Sequence, residues 1–562
     1  MSNTFYLITV LILVLNTINA KVIITSNGPV RGSLVTHENV SYIAYRGIPY
    51  AENPTGALRF QPPVPKKKWT HVLNASSNGP VCIQPEGAYK KHQMGEDCLR
   101  INVYVPVKKT NTSLLPVFAF IHGGAYRILS KDSDVIYDPY FFMKKGIIVV
   151  TMNYRLGALG FLSLKTPGAS GNNGLKDLVL ALQWVKENIC KFGGDSTKIT
   201  VGGNSSGSSM ANYLLLSRKT TALIHRVIMF SGSALNFRFL QRYPIENARE
   251  LASGLGLSIN DTDILLQNLK TVNPFDIVDA QENMYKKSRN PIITFAPFVP
   301  TIESDSADAF LTEDPTSMVK KGVIQNVPVL AGINSLEGIT FYHKIVNNKT
   351  LLNDLENNIH LTVPNDIEYP RNSTEFRNLV QSIKELYFNS TDTSALNKYF
   401  RIFSDIAFTH KVDYFIYLHK RNPQSNKVFY YEFDFDGDLN WGKLYHDIQY
   451  PGTCHSDELG YLFVTNATKE NLKTLDNKSR HVLNIMVSVM SNFIKFGNPT
   501  PSCDMGICWT ESNCSRNHIV LKEIPVLKNN SPYPERFTFW SEVYKQFYKY
   551  VRDGGKLTKI LA

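Results

Sequence analysis

The five residues Gly203–Gly207 (GNSSG) restrict the local fold more than any other stretch of this chain. They join a short apolar run, Ile199–Val201, to a helical pattern over Met210–Leu216. A serine between glycines at such a junction is typical of a sharp strand-to-helix turn, whose strained apex requires small residues two positions away on each side. We therefore predict that Ser205 lies at the apex and that its hydroxyl is a nucleophile.

Two other interpretations of this stretch are weaker. If Ser206 were the nucleophile, Asn204 and Ser208 would have to fill the positions that need small residues. Asn204-Ser205-Ser206 is also an acceptor triplet for N-linked glycosylation, but a sugar does not fit beside a closed catalytic pocket. We predict that this triplet is not glycosylated, because its asparagine lies in a buried turn.

Apolar runs alternate with helical patterns along much of the chain. This alternation predicts an α/β fold with a large, mostly parallel central sheet flanked by helices. With 43% hydrophobic residues among 562, the chain can bury a large core, and we predict a single domain over residues 21–562. The helical pattern is clearest between Gly174 and Phe192. The predicted strands are Val117–Ile121, Ile147–Met152, Ile199–Val201, Arg226–Phe230, Val327–Ile333 and Val428–Phe435.

Two downstream loops supply the groups that a serine nucleophile needs. A histidine must take the hydroxyl proton, and a carboxylate must orient that histidine. Glu337 follows the predicted strand Val327–Ile333, and His455 follows Val428–Phe435. Because reactive groups gather at the carboxyl ends of parallel strands, we predict that Ser205, Glu337 and His455 form a catalytic triad.

A glycine-rich loop after another predicted strand suits the negative charge that develops during acyl transfer. The stretch Phe120–Tyr126 (FIHGGAY) contains consecutive small residues, whose backbone N–H groups can point inward without interference from side chains. Beside a triad, we interpret it as an oxyanion loop rather than as an ordinary Gly-Gly turn.

Several features indicate secretion. Residues 1–20 contain no charge, and Tyr6–Leu15 is an apolar run, so we predict a signal peptide over residues 1–20. An N-terminal membrane anchor is the alternative, although the run is short for a span, and no later stretch approaches one. The C-terminus is neither a GPI signal nor a KDEL-type signal. Sequons begin at Asn39, Asn74, Asn111, Asn260, Asn348, Asn372, Asn389, Asn466, Asn477 and Asn513.

Charge and cysteine content exclude several classes of function. The net charge of +12 comes mostly from scattered basic residues, which argues against a nucleic-acid partner. The seven cysteines include no pair of C-x-x-C motifs, and we predict neither a metal nor another cofactor. An oxidising compartment permits disulfides, but the odd number leaves at least one thiol unpaired within the chain. Sequence proximity allows a Cys503–Cys514 or a Cys508–Cys514 bridge, and the pairing of Cys190 and Cys454 stays open.

Taken together, these motifs resemble those of type-B carboxylesterases and cholinesterases, a family of α/β-hydrolases, over nearly the whole mature chain. The resemblance implies a serine esterase whose nucleophile, acid and base are Ser205, Glu337 and His455. It places the oxyanion donors on Gly124, Ala125 and Ser206. The matching segments are Arg46–Ala51, Leu58–Phe60, Glu96–Tyr104, Asn153–Gly157, Gly171–Leu175, Phe192–Asp195, Phe230–Ser233, Gly332–Asn334, Glu337–Gly338 and Glu535–Trp540.

The resemblance also implies covalent and ionic links inside the molecule. It pairs Cys82 with Cys98 in a disulfide, and a bridge closing a loop of this length stabilises a fold by roughly 3 kcal/mol. It further implies two internal ion pairs with structural roles. These are Arg46 with Glu96 and Arg155 with Asp177.

The chain departs from the family pattern close to the predicted site. Asn204 and Ser206 stand where Glu and Ala are usual, and Ala125 replaces a glycine of the oxyanion loop. The segment Arg127–Ser130 replaces a glycine-rich continuation and should reshape the wall of the gorge. The Cys82–Cys98 loop contains no tryptophan of the kind that binds choline, so we do not expect acetylcholine as the substrate.

We expect a secreted hydrolase of small, uncharged lipophilic esters that acts through an acyl-enzyme. The natural ester is either a xenobiotic or a hormone or pheromone ester such as juvenile hormone, and the sequence does not separate the two. The alternative is a catalytically weak or inactive binding or adhesion protein, because the elbow and the oxyanion loop are altered. A lipase would need a lid or a colipase-binding feature that we do not identify. Acyl- and alcohol-pocket residues are expected within Leu235–Arg249 and Asn283–Pro300, and the oligomeric state stays open.

Overall fold

The computed structural model describes most of the predicted mature chain. Residues 1–20, which hold the predicted signal peptide, and the sequon asparagines Asn111 and Asn260 lie outside the described residues. The described residues are 21–107, 113–132, 136–258, 261–287, 296–349, 352, 357–364, 367, 370–389, 394–503, 506, 508–547, 550–553 and 556–559.

The described residues form sixteen strands, eleven of which make one large sheet. In chain order the strands are β1 (Val22–Ile24), β2 (Pro29–Arg31), β3 (Ser33–His37), β4 (Val40–Pro49), β5 (Leu73–Asn74), β6 (Arg100–Pro106), β7 (Leu115–Ile121), β8 (Ile148–Met152), β9 (Gly194–Asn204), β10 (Arg226–Phe230), β11 (Val329–Asn334), β12 (Val428–Phe433), β13 (His518–Leu521), β14 (Val526–Lys528), β15 (Tyr550–Asp553) and β16 (Lys556–Lys559). The large sheet has the order β14-β13-β12-β11-β10-β9-β7-β8-β6-β4-β3.

Helices connect most of these strands. The described α-helices are Tyr140–Lys144, Gly157–Phe161, Asn173–Asn188, Ser206–Leu216, Pro244–Gly254, Thr262–Thr271, Pro274–Lys286, Pro315–Lys320, Tyr342–Val346, Thr374–Phe388, Ala395–Ser404, His410–Lys420, Trp441–His446, Asn477–Phe496 and Pro534–Phe547. Short 3₁₀ turns lie at Gly56–Leu58, Lys91–Gln93, Ile189–Phe192, Arg218–Thr220, Phe237–Phe239, Glu337–Phe341, Ile359–Thr362, Asp457–Tyr461 and Asn471–Lys473, and a π-helical turn lies at Asp405–Thr409.

The middle of the sheet is parallel, and its edges are antiparallel. Strands β8, β7, β9, β10, β11, β12 and β13 pair in parallel, whereas β3, β4 and β6 join them antiparallel from one side and β14 from the other. The prediction of a large, mostly parallel sheet in a single α/β domain is confirmed. The strand predicted over Ile199–Val201 is longer than expected, because β9 runs from Gly194 to Asn204.

Helices cover both faces of the sheet, as a parallel sheet with buried strands requires. Successive side chains of β7 point to opposite faces, so Ala119 and Phe118 belong to different core clusters. Ala119 shares its cluster with apolar residues of the helix Asn173–Asn188. Phe118 shares the other cluster with residues of the helix Asn477–Phe496.

One predicted ion pair is wrong. Glu96 binds Arg59, with 2.7 Å between Nε and Oε1, and not Arg46. Arg46 lies four residues after Tyr42 on β4, and its charge acts on the pKa of Tyr42 and of Asp138. The charge of Arg46 is thus close to Tyr42 and Asp138, while Arg59 donates from Nε and Nη2 to the two oxygens of Glu96.

The other predicted ion pair is present. The Arg155 Nη2 and Asp177 Oδ1 atoms are 2.6 Å apart, and both side chains are buried. The Arg155 backbone N–H donates to the same carboxylate, and its Nη1 donates to the Gln61 carbonyl. This pair fixes the loop after β8 against the helix Asn173–Asn188.

Two disulfides occur among the described residues. One joins Cys82 to Cys98, the pair implied by family resemblance. The other joins Cys503 to Cys508, which differs from both pairings that sequence proximity allowed, and leaves Cys514 as an exposed thiol. Cys503 and Cys508 lie on one tight loop with 4.8 Å between their Cα atoms, a separation suited to a bridge.

Candidate active site

The predicted nucleophile lies at the junction of strand and helix. Strand β9 ends at Asn204, and the helix Ser206–Leu216 begins two residues later. Ser205 has φ 58° and ψ −120°, a backbone conformation that few non-glycine residues adopt. Its N–H donates to the Phe230 carbonyl at 2.8 Å, so the neighbouring strand β10 holds the turn. The strained residue is therefore supported by the sheet beside it.

Three glycines make this turn possible. A Cβ added at Gly203 would lie 2.4 Å from the Gly207 carbonyl, and one added at Gly207 would lie 2.2 Å from the Ile121 carbonyl oxygen. These clashes agree with the prediction that the flanking residues must be small. The sequence argument did not use Gly232, where a Cβ would lie 2.1 Å from the Ser205 carbonyl oxygen.

The predicted acid and base contact each other. His455 Nδ1 and Glu337 Oε2 are 2.6 Å apart, and the other Glu337 oxygen accepts the Asn334 N–H at 2.7 Å. The Glu337 side chain is wholly buried, and the His455 side chain is 10% exposed. A carboxylate at Nδ1 favours the tautomer that carries its proton there, which leaves Nε2 free to accept another proton. The ring of Phe408 stacks on the imidazole with centroids 4.0 Å apart and fixes its plane.

The two residues after Ser456 anchor the histidine loop. Asp457 accepts the Cys454 N–H at 2.6 Å and the Lys443 N–H at 3.0 Å, while Glu458 accepts from the Asn334 side chain at 2.5 Å. Burial raises the pKa of Asp457 to about 7. Burial, together with the charge of Glu337, raises the pKa of Glu458 to about 8.

A hydrogen bond connects the nucleophile turn to the histidine loop. The Ser456 hydroxyl donates to Asn204 Oδ1 at 2.9 Å, and both side chains are buried. The two residues flank Ser205 and His455 in sequence, so the bond fixes the two backbones relative to each other. Among the described residues, no hydrogen bond joins the Ser205 hydroxyl to His455, and such contacts often tighten only when substrate binds.

The predicted oxyanion loop has an unusual backbone. Gly124, Ala125 and Tyr126 have φ values of 97°, 55° and 62°. The Gly124 carbonyl accepts the N–H groups of Arg127 and Ile128, which closes the turn. Among the described residues, no hydrogen bond uses the N–H groups of Gly124 and Ala125, whereas those of Arg127 and Ile128 close the turn. Ser206 begins a helix, so its N–H also has no acceptor within the helix.

Contacts below the loop keep it in place. His122 stacks on Tyr154 with 4.4 Å between centroids, and burial lowers the His122 pKa to about 4. His122 is therefore neutral at physiological pH. The Tyr154 hydroxyl donates to the His122 carbonyl at 2.8 Å, and the Tyr126 N–H donates to the Ser206 hydroxyl at 3.3 Å.

The segment after the predicted oxyanion loop contacts a neighbouring helix. The Arg127 guanidinium pairs with Glu282 at 2.6 Å and lies 4.5 Å from the centroid of the Tyr285 ring. Both partners belong to the helix Pro274–Lys286, which overlaps the segment expected to line the pocket. Residues 288–295 of that expected segment lie outside the described residues.

Site residues that sequence reasoning missed lie next to those it found. Ser456, Asp457 and Glu458 directly follow His455, and their polar run was a usable signal. Phe408 lies far from Glu337 and from His455 in the sequence, and no local sequence pattern identifies it. Within the described ranges, no cluster of three metal-ligating side chains occurs, and no helix is long and apolar enough to cross a membrane.

The mixed sheet covered on both faces, with a serine turn at the carboxyl end of a central strand, defines the architecture of an α/β-hydrolase. The sequence model described as "Carboxylesterase family" matches residues 19–540, and the chain belongs to that family. It is accordingly a carboxylic-ester hydrolase.

Individual relatives agree with this assignment. Juvenile hormone esterase from Tribolium castaneum is 30% identical over 510 residues, which cover 87% of this chain and 85% of the relative. Esterase B1 from Culex pipiens is 32% identical over 499 residues, covering 86% of this chain and 89% of the relative. The crystal structure of juvenile hormone esterase from Manduca sexta, with OTFP covalently attached, superposes with a TM-score of 0.83 at 27% identity. The superposed region covers 94% of this chain and 100% of the Manduca sexta chain.

Proposed function

We propose that the protein hydrolyses small lipophilic esters through a Ser205–His455–Glu337 triad and an acyl-enzyme. The observation that carries the proposal is the 2.6 Å contact of His455 Nδ1 with the buried Glu337 carboxylate, close to a strained serine turn. For an isolated histidine a structural role is the simpler explanation. A histidine oriented by a buried carboxylate beside such a turn is the arrangement that serine hydrolases need.

The mechanism assigns one task to each group. His455 Nε2 takes the Ser205 hydroxyl proton as the oxygen attacks the ester carbonyl. The N–H groups of Gly124, Ala125 and Ser206 stabilise the oxyanion of the tetrahedral intermediate. The protonated imidazole then gives its proton to the leaving alcohol, which leaves an acyl group on Ser205. Water, deprotonated by the same nitrogen, releases the acid, and Glu337 holds the ring and stabilises the imidazolium throughout.

The names of the relatives support a range of esters. Juvenile hormone esterases and general esterases occur together among them, so both a hormone or pheromone ester and a xenobiotic ester are candidates.

We also propose secretion with removal of residues 1–20. Exposed sequons and two disulfides support it, because both suit an oxidising, glycosylating compartment. The sequon asparagines that lie exposed are Asn39, Asn74, Asn372, Asn389, Asn466, Asn477 and Asn513. Asn204 is buried, which supports the prediction that its triplet carries no sugar.

The test compares wild-type protein recovered from the culture medium with Ser205→Ala. Fluorophosphonate labelling and turnover of p-nitrophenyl butyrate are followed in both. We expect labelling and turnover in the wild type and a loss of turnover by at least about 10³-fold in the variant. A folded wild-type protein that is not labelled would refute the triad, and absence of the protein from the medium would refute secretion.

A further inference from the structure

Arg238 occupies an unusual position for a charged side chain. It follows β10, the strand beside the nucleophile strand, in the short turn Phe237–Phe239. The Asn236 side chain accepts the Arg238 N–H at 3.0 Å and donates to the Ala407 carbonyl at 2.5 Å. The backbone of Arg238 is therefore held against the segment that carries Phe408.

The guanidinium lies among aromatic rings next to the catalytic histidine. Its central carbon is 5.5 Å from the centroid of Phe408, 5.7 Å from Phe341 and 6.0 Å from Phe239. Phe408 is the ring that stacks on His455. The cation and the imidazole thus both lie against the ring of Phe408, and Phe341 ends the turn that begins at Glu337.

Two cationic side chains, Arg238 and Lys344, lie on aromatic rings at this side of the site. Burial lowers the pKa of Arg238 to about 10, so the side chain remains a cation at neutral pH. Lys344 lies 6.0 Å from the other contacted ring, Phe341, and its ammonium donates to the Tyr285 hydroxyl at 3.2 Å. Arg127 also lies on Tyr285 and pairs with Glu282.

We propose that Arg238 is a specificity determinant that binds a carboxylate, or a comparable anionic group, carried by the ester. The inference rests on the proposed hydrolysis at Ser205 and replaces the uncharged ester expected from the sequence with an amphiphilic one. Its apolar body packs on Phe341 and Phe408, and its anionic group accepts hydrogen bonds from the guanidinium. Arginine suits this task because its planar fork matches a carboxylate in two hydrogen bonds, and an apolar setting strengthens that attraction.

A purely structural role for Arg238 makes a different prediction. If the guanidinium only packs against its rings, its removal disturbs the pocket for every substrate. Turnover of charged and uncharged esters then falls by the same factor. The ratio of the two turnovers therefore distinguishes recognition from packing.

The experiment uses two p-nitrophenyl esters of glutaric acid, one with a free carboxylate and one with that carboxylate as its methyl ester. We would measure kcat/KM for both with wild type, Arg238→Gln, Arg238→Lys and the control Lys321→Gln, in which an exposed lysine far along the chain is neutralised. Fluorophosphonate titration counts the active sites in each preparation.

We expect the wild type to prefer the carboxylate ester by at least about tenfold, and Arg238→Gln to reduce that preference by about 10- to 100-fold. Arg238→Lys should retain part of it, and Lys321→Gln should leave it unchanged. An equal preference in wild type and Arg238→Gln, with both preparations labelled, would overturn the inference while leaving the triad intact. A wild type that is not labelled would instead refute the proposed function.

A second measurement needs only wild-type protein, in case Arg238→Gln does not fold. Glutaric acid monoanilide and its methyl ester are compared as competitive inhibitors. We expect the carboxylate to inhibit at a concentration at least about tenfold lower than its ester. Equal inhibition constants would overturn the inference.

Discussion

At the scale of single residues, the oxyanion loop combines two demands on Ala125. In the proposed mechanism its N–H points toward the developing charge, and the turn gives Ala125 a φ of 55°. A side chain in the left-handed region costs about 1–2 kcal/mol, which glycine avoids. The neighbouring position 124 accepts only glycine, because a Cβ on Gly124 would lie 2.1 Å from the Ile128 carbonyl oxygen.

We therefore expect Ala125→Gly to raise the free energy of unfolding by up to about 1 kcal/mol. Turnover of p-nitrophenyl butyrate should stay within a few-fold of wild type, because the backbone donor remains. Urea unfolding and steady-state kinetics measure both quantities. Gly124→Ala is the matched control and should lose activity; destabilisation by Ala125→Gly would show that the loop is not strained at this residue.

At the scale of elements, the nucleophile turn depends on how closely a helix approaches the sheet. The helix Ser206–Leu216 starts against the end of β7, where Gly207 touches the carbonyls of Ile121 and His122. A methyl group at Gly207 would lie 2.2 Å and 2.6 Å from those two oxygens. Neither carbonyl belongs to a flexible side chain, so the helix itself would have to move.

Gly207→Ala should consequently reduce the rate of fluorophosphonate labelling by about 10²-fold or more, since a misplacement of about 1 Å has that effect on a reaction. Gly254→Ala serves as the control, because a Cβ there meets only Ala280 at an ordinary 3.7 Å. Labelling of Gly207→Ala at the wild-type rate would mean that the turn tolerates the added methyl group.

Sequence patterns identified the central elements better than the outer ones. The strand β10 matches its prediction, because Arg226–Phe230 is an uninterrupted apolar run after its first residue. The antiparallel strands β4 and β6 were not predicted, since polar and aromatic residues interrupt their apolar pattern. Ser205, Glu337 and His455 could be found because each follows a strand. Phe408 could not, because its proximity to His455 arises only from tertiary packing. Arg238 lies within Leu235–Arg249, one of the segments expected to supply pocket residues, but no local pattern singles it out.

At the scale of the whole molecule, buried acids make stability depend on pH. The pKa of Glu458 is raised to about 8 in the folded protein, above its ordinary value in an unfolded chain. Folding therefore favours the protonated form. The stabilising effect of that proton is complete below the ordinary glutamate pKa and is lost as the pH rises through the folded value.

Replacing Glu458 by glutamine removes this titration. We expect the difference in unfolding free energy, Glu458→Gln minus wild type, to increase between pH 5 and pH 8, by about 1.4 kcal/mol for each realised unit of pKa shift. Urea unfolding of both proteins at the two pH values measures it. As a control, replacing the exposed Glu470 by glutamine should leave this difference the same at the two pH values. An equal difference at both pH values for Glu458→Gln would refute the raised pKa of Glu458.

Along the chain, the residues proposed for the reaction follow strands of the sheet, and the rings proposed to contact the substrate lie in the segment between two of these strands. Glu337 lies just after strand β11, and His455 follows β12 after the intervening helix Trp441–His446. Nearly a hundred residues connect the two strands and supply both Phe341 and Phe408. Hydrogen bonds between the strands fix the points at which the loops that carry the proposed acid and base leave the sheet. Substitutions and insertions in this connection can therefore change which ester the protein binds during evolution, while the reaction that it catalyses stays the same.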